Sequence, residues 1–167
     1  MATLEVFSAL NLQLRVKSHS QRLYRLEEPP ASLKSGSGTK DDPWTLKTPP
    51  GTSEFKAYKD ETLSPPALVV WVGKTELRYQ LRCLDDLQKM LRAKGEWMEL
   101  GSADEQKLAK DGTVEAWGRS PKNPVGGWYG IKKGLRGRFA MYVPPVLEVL
   151  GMAEVEHNPK NNRMRAK

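Results

Sequence analysis

The stretch Ala67-Leu68-Val69-Val70-Trp71-Val72-Gly73-Lys74-Thr75-Glu76-Leu77-Arg78-Tyr79-Gln80-Leu81-Arg82 decides the fold class. Ala67–Val72 is an apolar run suited to a buried strand, and Gly73-Lys74 suits a two-residue turn. Thr75–Arg82 then alternates Leu77, Tyr79 and Leu81 with polar or charged neighbours, the period of a half-buried strand. Together they predict a β-hairpin. Directly after it, Leu84, Leu87, Met90 and Leu91 fall three and four apart, which predicts a helix over 85–94 whose apolar stripe packs on the hairpin. Asp85 and Asp86 suit its positive N-terminus, and Gly95 suits its left-handed cap. A hairpin followed by a helix reads as α+β.

Upstream, Asp42 to Tyr58 is rich in turn formers, with Trp44 and Phe55 expected to pin it to the core. Residues 1–40 read as an N-terminal arm and flexible linker, and residues 41–167 as one α+β domain. The arm contains one amphipathic strand, Leu10, Leu12, Leu14 and Val16 alternating with polar residues, which offers a route to a homo-oligomer. Glu27-Glu28-Pro29-Pro30 and Ser35-Gly36-Ser37-Gly38 have connector composition.

Downstream, Ser102-Ala103-Asp104-Glu105 has the form of a capping box, predicting a short helix to about Ala109. Thr113–Trp117 reads as a strand, and Arg138–Val143 as a strand or the end of a turn. Pro144-Pro145 reads as the start of a helix through Leu150, ended by Gly151. Ala153–His157 and Arg163–Ala166 read as strands around the turn Asn158–Asn162.

The formal charge of +7 is uneven. Residues 1–113 carry 17 Lys/Arg against 16 Asp/Glu, whereas residues 114–167 carry 10 against 4, which points to a polyanion such as nucleic acid. Two elements hold the excess. One is Gly126–Arg138, where glycines permit close backbone approach, Trp128 and Tyr129 offer stacking faces, and Lys132, Lys133, Arg136 and Arg138 offer phosphate contacts. The competing reading makes Trp128 and Tyr129 core anchors of an irregular loop. The other element is the C-terminal hairpin, with Lys160, Asn161, Asn162, Arg163 and Arg165.

Leu147 to Arg163 resembles the recognition-helix end and wing of winged helix-turn-helix proteins, particularly bacterial antibiotic-resistance-type repressors. The resemblance implies a helix in the major groove and a wing tip formed by Lys160, Asn161, Asn162 and Arg163. A broader resemblance rests on the phrases Asp42–Leu46, Gly101–Lys107, Gly112–Arg119 and Gly126–Gly130. They are similar to an uncharacterised bacterial family, one found on mobile gene cassettes, and imply no known activity.

Signals for chemistry are sparse. Val72-Gly73-Lys74-Thr75 has the ending of a phosphate-binding loop, but Leu68 stands where the first glycine belongs and a strand follows. His19 and His157 lack a second ligand at metal spacing, and Cys83 is single, so neither a metal site, a disulfide framework nor a cofactor motif is predicted. No run approaches the ~20 apolar residues of a membrane span. The expectation is a cytoplasmic, non-enzymatic module that binds nucleic acid through the basic glycine/aromatic loop and the hairpin. The alternative is a small-molecule or protein-binding domain with a pocket beside that loop, and an enzyme of unknown class comes third.

Overall fold

A computed structural model describes residues 33–167, of which Leu33–Ser35 are described by their backbone only. The amphipathic strand Leu10–Val16, and with it the oligomer expectation, lies outside the described residues. The predicted hairpin forms as β4 (Ala67–Val72) and β5 (Thr75–Gln80), in register Val72↔Thr75 through Ala67↔Gln80. Gly73 in the turn takes φ 61°, which the following residues' pairing requires and glycine adopts without Cβ strain. Upstream, β1 (Leu33–Ser35), β2 (Trp44–Lys47) and β3 (Glu54–Asp60) extend this into a five-stranded antiparallel sheet ordered β1-β2-β3-β4-β5. Trp44 and Phe55 are buried.

The Ser35–Gly38 stretch is not a loose connector. A Cβ on Gly36 would lie 1.8 Å from the Pro43 carbonyl oxygen, and one on Gly38 2.3 Å from the Trp44 indole. Both glycines are there because the chain folds back against β2.

Helix α1 (Cys83–Lys94) follows β5 and ends at Gly95, which is left-handed and donates to the Leu91 carbonyl. Leu84, Leu87 and Leu91 face the core, as the spacing predicts. Cys83 is fully buried, and burial pushes its thiol pKa up, so it is an inert packing residue. Two further strands, β7 (Ala153–Val155) and β8 (Arg163–Ala166), form the C-terminal hairpin, and the short β6 (Met98–Glu99) pairs with β8 in a second sheet ordered β6-β8-β7. One core joins the inner face of the large sheet, α1, the small sheet and the last helix.

Three local expectations fail. Thr113–Trp117 is not a strand: Thr113 is extended and its Oγ1 accepts from the Ala116 N–H, capping the short helix α2 (Val114–Trp117). Ser102–Glu105 is not a capping box, because the Glu105 carboxylate accepts instead from the amides of Gly134 and Arg136 at 2.9 Å each. The last helix, α3 (Phe139–Val149), begins five residues before the prolines rather than at them. Its first amides are served from outside the segment. Glu115 of α2, 1% exposed, accepts from Phe139 N at 3.3 Å and Ala140 N at 2.8 Å. Proline inside a helix costs about 3 kcal/mol. Pro144 and Pro145 together cost about 6 kcal/mol on that figure, and burial of Phe139, Val143, Val146 and Leu147, at about 1.5–3 kcal/mol each, offsets it.

That burial also bears on the winged-helix likeness. No residue of α3 is exposed, so the helix presents no face for a DNA groove.

His157 ties the small sheet to the rest. Its Nδ1 lies 3.0 Å from the Pro49 carbonyl oxygen and its Nε2 2.7 Å from Glu148 Oε2 of α3. Both neighbours are acceptors, so only the imidazolium satisfies both. The Glu148 hydrogen bond, helped by that carbonyl and opposed by partial burial, raises the His157 pKa above its ordinary value. The raised pKa stabilises the fold fully below the unfolded value of about 6.5, and this is lost as pH rises through the folded value. His157→Ala is therefore expected to destabilise at pH 5.5 more than at pH 8.5, a difference read from urea midpoints at the two pH values.

Candidate ligand pocket beside the glycine-rich loop

The glycine-rich loop closes the open edge of the large sheet. Gln80 N donates to Tyr129 O and Ile131 N donates to Arg78 O, each at 2.8 Å, so residues 129–131 act as a short further strand on β5. This placement settles the two aromatics. Tyr129 is fully buried, stacked on Trp117 and Phe139 with ring centroids 5.2 and 5.6 Å away, and its hydroxyl donates to Asp86 at 2.8 Å. It is a core anchor and offers no stacking face. Trp128 is half-buried, with the guanidinium groups of Arg119 and Arg136 at 4.4 and 4.7 Å from its ring centroid. Its π face is already taken by cations of this chain.

Most of the expected phosphate contacts are also partnered. Arg136 pairs with Glu105 at 2.7 Å, Arg138 with Asp104 at 2.5 Å, Arg163 with Glu156 and Arg165 with Glu154. The Arg136 hydrogen bond holds the Glu105 carboxyl pKa down at about 2. Asn162 is buried and staples its own turn, accepting from Asn158 N and donating to Asn158 O. Lys132, Lys133 and Lys160 are exposed and make no ion pair among the described residues, and Asn161 is exposed with φ 61°.

Between β5, the loop and the start of α3 lies a cavity of about 220 Å³. Val72, Leu77 and Leu135 give it an apolar floor, and Asp104, Gln106, Arg138 and Tyr142 give it polar groups. Arg138 is the unusual residue. It sits at φ 58°, ψ 28°, a left-handed conformation that costs a non-glycine residue about 1–2 kcal/mol. Strain of this kind collects at functional sites. Here it turns the chain sharply from the loop into α3 and sets the Arg138 side chain on the cavity rim. Nε of Arg138 donates to Asp104, while its two terminal nitrogens have no partner among the described residues. Tyr142, one helical turn on, likewise has no hydrogen-bond partner for its hydroxyl among those residues. Burial raises its pKa, so it stays a neutral donor.

The segment 103–107 forms the opposite rim and is held from below. Arg119 donates to the carbonyls of Ala103, Asp104 and Lys107 and to Glu115. Arg138 N donates to Ala103 O at 2.8 Å. The rim is thus fixed by buried partners rather than by its own sequence.

Residues 36–167 match the model of a family of unknown function, DUF6855. The chain belongs to that family. No curated protein and no solved structure matches it significantly. Membership of DUF6855 assigns no activity. Among the described residues, no three His, Cys, Asp or Glu side chains come together to hold a metal ion, and no helix is long and apolar enough to cross a membrane.

Of the sequence-predicted site residues, only Arg138 lines this cavity, with Arg136 bracing its rim through Glu105. Lys132 and Lys133 lie on the exposed part of the same loop, whereas Lys160 and Asn161 line a separate cleft. Tyr142 and Asp104 were missed. Tyr142 stands four residues after Arg138, a spacing that marks it as a neighbour once α3 is known to start at Phe139.

Proposed function

We propose that this domain binds a small carboxylate-bearing molecule in the cavity beside the glycine-rich loop. The observation that carries this is Arg138: a strained residue whose Nε is held by Asp104 while its two terminal nitrogens make no hydrogen bond among the described residues, set beside Tyr142 on an apolar floor. A guanidinium fork suits a planar carboxylate, and the floor suits a short aliphatic body. At about 220 Å³ the cavity falls below the ~300–1,000 Å³ typical of drug-sized ligands, so the occupant is small. Placement in the cytoplasm rests on the single buried cysteine and belongs to the same proposal.

The test is calorimetric titration of the full chain with short aliphatic carboxylates such as pentanoate. Saturable binding is expected, absent in Arg138→Gly. Glycine adopts the left-handed conformation freely, so this variant keeps the chain path while removing the fork. Binding of equal strength in Arg138→Gly would overturn the proposal.

A polyanion is the second reading, carried by Lys132, Lys133 and Lys160, which are exposed and make no ion pair among the described residues. Three free cations predict a slope of log affinity against log salt of about −3 on duplex DNA, where all seven Lys/Arg of the two elements would give about −6. Measured anisotropy slopes near −6 would favour the nucleic-acid reading over ours, and Lys132→Glu/Lys133→Glu would then flatten them.

A further inference from the structure

A second cleft, of about 340 Å³, lies between the turn at Pro49-Pro50, the segment after β6 and the tip of the C-terminal hairpin. Its walls are tied together. Leu100 N donates to Asn162 O at 2.9 Å, and His157 reaches from the hairpin to the Pro49 carbonyl. Gly101 takes φ 69°, and a Cβ there would lie 2.8 Å from the Thr113 side chain, so the chain turns where only glycine fits. This leaves an unusual set of donors on the lining. The amides of Gly101 and Ser102, the Ser102 hydroxyl and the Lys160 ammonium make no hydrogen bond or ion pair among the described residues. Pro50 and Met141 add apolar surface, while the Lys110–Glu99 pair at 3.1 Å is self-neutralising.

Two consecutive backbone amides with a hydroxyl and an ammonium form a donor set for an oxyanion. We infer that this cleft is a second ligand site, taking a carboxylate or phosphate carried on a flat aromatic group that rests on Pro50 and Met141. It is separate from the cavity at Arg138 and does not depend on it.

The test is amide chemical-shift titration of the full chain with phenyl phosphate, benzoate and phenol in parallel. Phenyl phosphate, benzoate or both are expected to shift the Gly101 and Ser102 amides saturably, which tells phosphate from carboxylate, while phenol leaves them unmoved. Lys160→Glu, at an exposed hairpin tip that does not carry the fold, is expected to weaken that binding at least tenfold. The inference is overturned if neither oxyanion saturates those amides, if phenol does so equally, or if Lys160→Glu binds as tightly as the parent. Shifts confined to Gly134, Arg138 and Tyr142 would support the first pocket and count against this one.

Discussion

Glu115→Ala is expected to lower the free energy of unfolding by about 3–5 kcal/mol, the range found when one partner of a buried ion pair is removed. Two amides, Phe139 N and Ala140 N, lose their acceptor, and the Arg119 guanidinium, whose Nη2 lies 2.5 Å from the Glu115 carboxylate, loses its anionic partner and keeps only the carbonyls of Ala103, Asp104 and Lys107. Arg119 is only 12% exposed on its side chain, so its charge is left largely without compensation. Its Nε is already buried without a partner among the described residues. Against a typical total of about 5–15 kcal/mol, the loss is a large fraction of all the stability the domain has. The effect also reaches the site, because Arg119 holds the rim at 103–107. Glu115→Gln keeps an acceptor for one helix amide but not the charge, so its loss should be smaller. Urea denaturation of the three proteins checks the order.

Gly137→Ala is the second large effect, and it acts on the pocket directly. The new Cβ would lie 2.4 Å from Glu105 N, 2.6 Å from Asp104 C and 2.8 Å from Ala103 O. All three are backbone atoms, which cannot swing aside as a side chain can. Relief requires moving the rim as a unit, which stretches the Arg138 N to Ala103 O bond and parts Arg138 from Asp104. Overpacking of this kind costs about 1–3 kcal/mol. Ligand binding should fall further than stability does. Gly127→Ala is the control from the same loop: its Cβ meets nothing within 4 Å and its backbone is not left-handed, so it should stay within about 0.5 kcal/mol of the parent. Equal midpoints for the two variants would show that the loop is not packed against the rim.

The parts of the fold that could be read from the sequence are those in which each residue's partner lies close by in the chain. The β4–β5 hairpin, the stripe of α1 and the closing β7–β8 hairpin all follow from alternation or three-four spacing. The failures are places where a distant residue decides. Glu105 fits a local capping box, yet its carboxylate goes to Gly134 and Arg136, some thirty positions on. The Thr113–Trp117 stretch has β-branched residues suited to a strand, but Glu115 must point inward to cap α3, and a capped helical turn allows that. Pro144-Pro145 marks a helix start by local rules, and nothing nearby announces that the Glu115 carboxylate accepts from the first amides of a helix that begins earlier.

The basic loop shows the same limit for the site. Composition places lysines, arginines and aromatics together, and that grouping is real in the chain. It does not show that Tyr129 is stacked inside the core, or that Asp104 and Glu105 return to pair with Arg138 and Arg136. Charge counted along the sequence therefore overstates what the surface offers. What the fold adds concerns Arg138, a cation of the basic loop that gains its chemical interest from a backbone conformation no composition reveals.

The most direct measurement is an amide chemical-shift map of the full chain titrated with pentanoate, repeated with a short DNA duplex at low salt. Saturable pentanoate shifts centred on Gly134, Arg138 and Tyr142 are expected, with only weak, salt-labile duplex shifts around Lys132 and Lys133. Strong duplex shifts spanning both the loop and the hairpin tip, with none from pentanoate, would contradict the proposed carboxylate site.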